Sequence, residues 1–254
     1  MKQGDFTQLA KYYINRPAYS EFLIQKLLKI MDLKSDNTIK VADIGAGTGK
    51  FTKILAEMGL KVSAVEPNNA MRSEGVLYTQ GDEIEWLSGS AEDTKLPTEM
   101  FEWACMASSF HWTDPQKSLP ELARIIKPNG YFTAIWNPRN IQRSPFHLNI
   151  EEQIKKIVPE LNRVSSGAQN TKEWEHILTS TGDFKECIFM ECDHVEVMSV
   201  ERYMGAWHSV NDIQAQAGKE RWHKILEMIE NEIRGLEYIE TPYKIRAWTV
   251  QKTR

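Results

Sequence analysis

Apolar positions in the first half of the chain switch between two periods. Residues 39–44 (IKVADI) are a short apolar run that stops at a glycine cluster, the pattern of a buried parallel strand. Residues 49–58 (GKFTKILAEM) then put Phe51, Ile54, Leu55 and Met58 on one face of a helix. KVSAV (61–65) predicts a second strand, NNAMRSEGVL (68–77) a helix, IEWLSG (84–89) a third strand and EWACMASS (102–109) a fourth. Residues 115–127 predict a helix closed by Pro128, Asn129 and Gly130, and YFTAIW (131–136) a fifth strand. Strands alternating with helices at this spacing predict an α/β fold, doubly wound, with a mostly parallel sheet.

The second half is less regular. Residues 144–158, 171–180 and 219–234 have helical patterns, CIFMECDHVEVM (187–198) reads as a long strand, and YKIRAWTVQK (243–252) alternates like a half-exposed edge strand. Without repeats or a Pro- or Gly-rich linker, one domain is the economical reading. Its parts are an N-terminal helical lid at 1–38, a ligand-binding half at 39–140, and a substrate cap with the last strands at 141–254.

Ligands of open parallel sheets sit beyond the carboxyl ends of the strands, where strand order reverses. The rule singles out the segments after Ile44, Val65, Leu87 and Ser109. The first reads Asp43-Ile44-Gly45-Ala46-Gly47-Thr48-Gly49. Such a loop lets backbone lie against a ligand. A dinucleotide fingerprint needs a glycine where Lys50 stands, and a phosphate-binding P-loop needs one where Ile44 stands. Neither spacing is met. Asp43, two residues before the first glycine, would repel a pyrophosphate and suits a ligand that carries an ammonium group. Glu66, followed by Pro67, ends the second strand, where a carboxylate reaches the two hydroxyls of a ribose.

These residues resemble the class I S-adenosylmethionine-dependent methyltransferases, in particular the small-molecule methyltransferases called type 11. VADIGAGTGK is similar to their first motif, AVEPNNAM to the second-strand motif, and SGSAEDTKLP to the segment that contacts adenine. MASSFHWTDPQKSLPELARIIKPNGYFTAIW resembles the fourth strand, its helix and the fifth strand. YYINRPAYSEFL looks like the entry helix of the trans-aconitate methyltransferase branch. The resemblance implies a Rossmann-like methyltransferase fold of seven strands with the last antiparallel, and S-adenosyl-L-methionine as cofactor. The cofactor residues it implies are Asp43, Gly45, Ala46, Gly47, Glu66, Pro67, Ser90, Ala91, Glu92, Ala107 and Ser108. Where the family carries Asp or Asn before Ala, this chain has Ser90-Ala91-Glu92, so Ser90 and Glu92 both remain candidates for the adenine contact.

His111 lies in the loop after the fourth strand. It is either a general base, matched to neutral pH, or with Trp112 a wall of the site. Tyr13, Arg16, Arg139, Trp207 and His208 are the further substrate candidates. Arg16, Arg139 and Arg143 could together grip an anionic acceptor, since guanidinium pairs with carboxylate or phosphate. The alternatives are a non-catalytic cofactor-binding or regulatory protein of the same fold and an NAD(P)-dependent oxidoreductase.

The 254-residue chain has a formal net charge of −4, which offers no basic face for nucleic acid. Its three cysteines form no C-x-x-C pair, and no histidine pair has metal-ligand spacing, so no metal is expected. No apolar run spans a bilayer, and the N-terminus has no signal-peptide core. The expectation is a cytoplasmic enzyme with a small-molecule substrate, without nucleic-acid or membrane partners, as a monomer or homodimer.

Overall fold

The computed structural model describes residues 6–163 and 173–253. The start of the predicted 171–180 helix, at 171 and 172, lies outside them. The chain divides into two compact units. Among the described residues the sheet unit comprises 19–137, 173–192 and 245–253, and the helical unit 6–18, 138–163 and 193–244.

Seven strands form one sheet: β1 (Lys40–Ile44), β2 (Lys61–Val65), β3 (Ile84–Leu87), β4 (Phe101–Ala107), β5 (Ile126–Trp136), β6 (Phe184–Ser199) and β7 (Tyr238–Lys252). Their order is β3-β2-β1-β4-β5-β7-β6. The β3-β2-β1-β4-β5 pairings are all parallel, and β7 runs antiparallel to β5. Strand order reverses at β1 and β4, whose carboxyl ends carry the glycine loop and the His111 segment. The central strands are buried on both faces, which is why β1, β2 and β4 read as apolar runs.

Two boundaries differ from the sequence reading. The helix α5 (Pro115–Ile125) ends two residues early, because Ile126 already pairs with Phe101 as the first residue of β5. Pro128 disfavours helical backbone at Lys127 and so favours this earlier exit. The alternating 243–252 segment is not an edge strand. β7 lies between β5 and β6, with residues 247–250 buried in succession, and β6 takes the edge with an alternating burial pattern.

The sheet unit holds the helices α2 (Glu21–Ile30) and α7 (Trp174–Thr179), and α3 (Lys50–Glu57) and α4 (Asn69–Tyr78) follow β1 and β2. Asn68 caps α4 by accepting from the Ala70 and Met71 N–H groups at 3.0 and 3.1 Å. The sheet unit's core gathers Ile44, Val65, Phe101, Met106, Phe110, Phe132, Trp136, Trp174 and Trp248.

In the helical unit lie α1 (Ala10–Tyr13), α6 (Pro145–Ile157), α8 (Val200–His208) and α9 (Asn211–Glu232). The predicted 219–234 helix is the second half of α9, which breaks at Gly218 (φ 72°, ψ 169°). A separate apolar core holds this unit, built on Ile150, Ile154, Tyr203, Trp207, Ile225, Ile229 and Tyr243.

Candidate active site

The site residues read from sequence fall into two sets, one in each unit. The cofactor candidates, with His111 and Trp112, belong to the sheet unit. Tyr13, Arg16, Arg139, Trp207 and His208 belong to the helical unit.

In the sheet unit the loop 45–49 leaves β1 with positive φ at each of its three glycines. Two of them are required by neighbouring side chains. A Cβ on Gly45 would stand 2.7 Å from the Cβ of Ser109, whose hydroxyl donates to the Ile44 carbonyl at 3.0 Å. A Cβ on Gly49 would meet the Trp86 ring at 3.0 Å. The first contact is closer than packing permits and the second is tighter than ordinary packing, and both positions also have positive φ, so the chain's own structure favours the glycines. Ala46 completes the loop and is half-buried.

Asp43 is fully buried beneath this loop. Its Oδ2 accepts from the Thr52 hydroxyl at 2.6 Å, which ties β1 to α3, and its Oδ1 has no partner. Burial pushes its pKa up to about 7, against the Thr52 bond and with the help of nearby Glu66. An unpartnered buried carboxylate oxygen favours a positive charge at this loop and opposes a phosphate.

Glu66 is 7% exposed. Its Oε2 accepts from the Gly47 N–H at 2.9 Å and its Oε1 from the Asn68 N–H at 2.8 Å. Burial raises its pKa, and the two N–H groups oppose that shift. A carboxylate has about four acceptor positions. These bonds use one on each oxygen and fix the group's orientation, leaving one lone pair per oxygen for a pair of hydroxyls. Pro67 beside it is exposed.

Ser90, Ala91 and Glu92 form a tight turn closed by a bridge between Ser90 and Asp93. The Ser90 hydroxyl accepts from the Glu92 N–H at 3.3 Å, and Ala91 is buried. Glu92 Oε1 accepts from the Asp114 N–H at 3.1 Å. Asp114 caps α5, so Glu92 ties this turn to the start of that helix. Ala107 and Ser108 follow at the end of β4. Ser108 has φ of 52°, unusual for a non-glycine residue, and its hydroxyl accepts from the Tyr19 hydroxyl at 2.7 Å.

His111 Nδ1 accepts from the Trp136 indole N–H at 3.1 Å. An indole nitrogen only donates, so the neutral imidazole carries its proton on Nε2. That Nε2 is buried without a partner. Burial also pulls the pKa of His111 down to about 4. The ring therefore stays neutral near pH 7 and offers a donor, with its one basic lone pair already used. This arrangement suits a wall better than a general base. Trp112, 43% exposed, packs its ring 4.7 Å from the His111 ring.

In the helical unit Arg16 donates from Nε to the Ser209 hydroxyl at 2.5 Å and from Nη2 to the Ser209 carbonyl at 2.9 Å. Its guanidinium lies 5.0 Å from the Tyr13 ring. The side chain closes the end of α8 on the N-terminal segment. His208 stacks on Tyr12 at 5.2 Å. Arg143 is exposed and ion-paired to Asp193. Of the three arginines expected to grip an anion, Arg143 is thus spent on a carboxylate and Arg16 on Ser209, whereas Arg139 is held by aromatic side chains, Trp207 and Tyr243. It lies 4.2 Å over the Trp207 ring.

The sequence reading missed several partners: Thr52, Asn68 and Trp136 in the sheet unit, and His147, Tyr203 and Tyr243 around Arg139. Asn68 carried a signal, since Asn after a strand and before a helix is a capping residue. The others are distant in sequence and meet only through the fold. Among the described residues no three His, Cys, Asp or Glu side chains gather as metal ligands, and no helix is long and apolar enough to cross a membrane.

Residues 42–134 match the family described as "Methyltransferase domain". An uncharacterized methyltransferase of Mycobacterium tuberculosis is 36% identical over 129 residues, which cover 51% of this chain and 50% of that protein. The chain thus spans about half the length of this relative. A structure described as a type II methyltransferase from Anaeromyxobacter dehalogenans superposes with a TM-score of 0.68 at 18% identity, covering 93% of this chain and 97% of the other. Haemonchus contortus phosphoethanolamine N-methyltransferase 2, solved with S-adenosylhomocysteine, gives a TM-score of 0.56 at 14% identity, covering 98% of this chain and 58% of the other. The two structures share the fold, and the names of relatives and neighbours alike support a methyltransferase.

Proposed function

We propose that this protein is an S-adenosylmethionine-dependent methyltransferase that acts on a small molecule. The reading is carried by Glu66, whose oxygens are each held by one backbone N–H beside the glycine loop and each keep an acceptor position. That suits a vicinal diol such as a ribose. A neighbouring fold solved with S-adenosylhomocysteine supports the choice of cofactor.

When bound, S-adenosylmethionine supplies a methyl group on a cationic sulfur, ready for in-line displacement by an acceptor atom. Glu66 would hold its ribose, and the backbone of Gly45, Ala46 and Gly47 would lie against it. Buried Asp43 favours a cationic ligand over a phosphate at that loop. Ser90, Ala91 and Glu92, with Ala107 and Ser108, would line the rest of the seat. His111 and Trp112 contribute walls, and His111 a fixed N–H donor. Orientation of this kind can lower a barrier by about 7–11 kcal/mol, so the chain needs no acid or base of its own for a reactive acceptor.

Calorimetric titration tests the reading. S-adenosylhomocysteine should bind saturably and NAD should not. Glu66→Gln, which puts an amide donor where the diol needs an acceptor, should weaken that binding by about 1.5–3 kcal/mol, the range for hydrogen bonds to a charged group. Saturable NAD binding with no response to S-adenosylhomocysteine would overturn the assignment.

A further inference from the structure

Within the helical unit, one cluster of buried polar groups is short of protein partners. Tyr203 and His147 are each 1% exposed and Trp207 is fully buried. His147 Nε2 has no hydrogen-bond partner, and the Tyr203 hydroxyl and Trp207 Nε1 have none beyond each other. They belong together: the His147 and Tyr203 ring centres are 6.0 Å apart, and those of Tyr203 and Trp207 are 6.3 Å apart. Arg139 lies over the Trp207 ring at 4.2 Å and donates to the hydroxyl of Tyr243. A two-residue β-bridge between Arg139 and Tyr243 fixes their backbones side by side.

The chemistry of the cluster is one-sided. Trp207 can only donate, and so can the guanidinium. Tyr243 accepts from Arg139 and keeps its own O–H to donate. Ser144 Oγ accepts from the His147 backbone N–H at 3.3 Å and lies 2.7 Å from Nδ1. In the tautomer in which the Ser144 hydroxyl donates to Nδ1, Nε2 carries the imidazole proton and is a further donor, and in the other tautomer Nε2 is an acceptor. Burial and the nearby Arg139 pull the pKa of His147 down to about 4, so the ring stays neutral.

Anionic acceptors are missing. Among the described residues, no carboxylate forms an ion pair with Arg139. The neighbouring carboxylates are already engaged, Glu151 by Arg163 at 3.1 Å and Glu196 by Arg202 and His194. Buried donors in excess of acceptors, around a cation without a counter-ion, are costly unless an anion completes them.

We infer that Arg139, Tyr203, Tyr243, His147 and Trp207 form the receiving site for the carboxylate of a small monoanionic acceptor. This rests on the methyltransferase reading for the word acceptor, and on the donor cluster alone for the carboxylate. Arg139 is the cation that lies over the cluster's rings and matches one negative charge, while Arg16, which also acts on Tyr243, is held on Ser209. A phosphate dianion would leave an unbalanced charge among buried rings. The flat guanidinium over the indole suits a planar group that takes paired hydrogen bonds.

The test uses the full chain and needs no turnover. The Trp207 indole N–H resonance is followed by NMR while acetate, hexanoate or benzoate is added, with the matching amides and inorganic phosphate as controls. The carboxylates should move it saturably, and the amides and phosphate should be at least about tenfold weaker, the ratio that 1.4 kcal/mol sets. Arg139→Lys keeps the charge, loses the planar fork and should weaken carboxylate binding at least as much. Tyr203→Phe removes a hydroxyl whose neighbour in the protein is the Trp207 indole N–H and no charged group. It should weaken binding about 3–10-fold without lowering the melting temperature. S-adenosylhomocysteine titrations of the same variants should be unchanged, which separates a failure here from a failure of the cofactor assignment. Equal binding of amides, preference for phosphate, or no saturation by any carboxylate would overturn the inference. So would a Tyr203→Phe variant that is destabilised yet binds normally.

Discussion

At His111, one hydrogen bond outweighs the residue's reputation. Sequence alone leaves both a base and a wall open and leans to the wall, because both need a histidine beyond β4. The Trp136 N–H removes the ambiguity by occupying Nδ1, a contact that exists only because β4 and β5 are neighbours. The expected outcome is a pH–rate profile without an inflection from His111 near the ordinary histidine value of 6.5. His111→Gln, which can present an amide N–H in place of Nε2–H, should keep kcat within about tenfold of the parent, whereas loss of a true general base would cost about 10²–10⁴-fold. Steady-state kinetics of the two proteins decides the matter. The arginines teach the complementary lesson. Arg16, Arg139 and Arg143 look alike in the sequence, and only their partners set Arg139 apart.

The glycine loop shows how much of an element can be read before its structure is known. Its place between strand and helix, and its departure from dinucleotide and P-loop spacing, are written in the residues 43–49. What the sequence does not disclose is that Gly49 also makes room for Trp86, whose N–H donates to Thr79 at 3.1 Å. Gly49→Ala should therefore cost about 1–2 kcal/mol from left-handed backbone alone, and more from the ring contact. Urea unfolding measures it, and an unchanged midpoint would show that the loop relaxes freely. Strand β7 was misread as an edge for a physical reason. Alternation reports which side chains are buried, and a strand with one neighbour can show the same alternation as a strand with two. The helical unit was the least legible part. Its four described helices lack a repeating strand partner to give them a frame, and the donor cluster draws on segments up to about a hundred residues apart in the chain, a separation that patterns of period two or 3.6 cannot register.

Each unit of the molecule has its own apolar core, and acid acts on the two differently. In the sheet unit, His111 is held near 4, below its ordinary 6.5, while Asp43 is held near 7, above its ordinary 3.8. A lowered histidine costs stability as pH falls below 6.5, because the unfolded chain takes up the proton first. A raised aspartate gains stability over the same fall, because the folded chain takes it up first. The two slopes oppose, each about 1.4 kcal/mol per pH unit at most. In the helical unit, His147 is lowered to about 4 with no such counterweight. Scanning calorimetry between pH 6.5 and 4.5 should show a heat signal from the helical unit that moves to lower temperature, and one from the sheet unit that stays nearly fixed. His147→Asn should remove the movement, and a movement that persists in this variant would assign it to another group. The unpartnered Nε2 of His147 beside Arg139 would then have a physiological meaning as well. Mild acidification would loosen the unit that carries the donor cluster before it disturbs the glycine loop, so that the chain would lose its grip on one ligand while it still held the other.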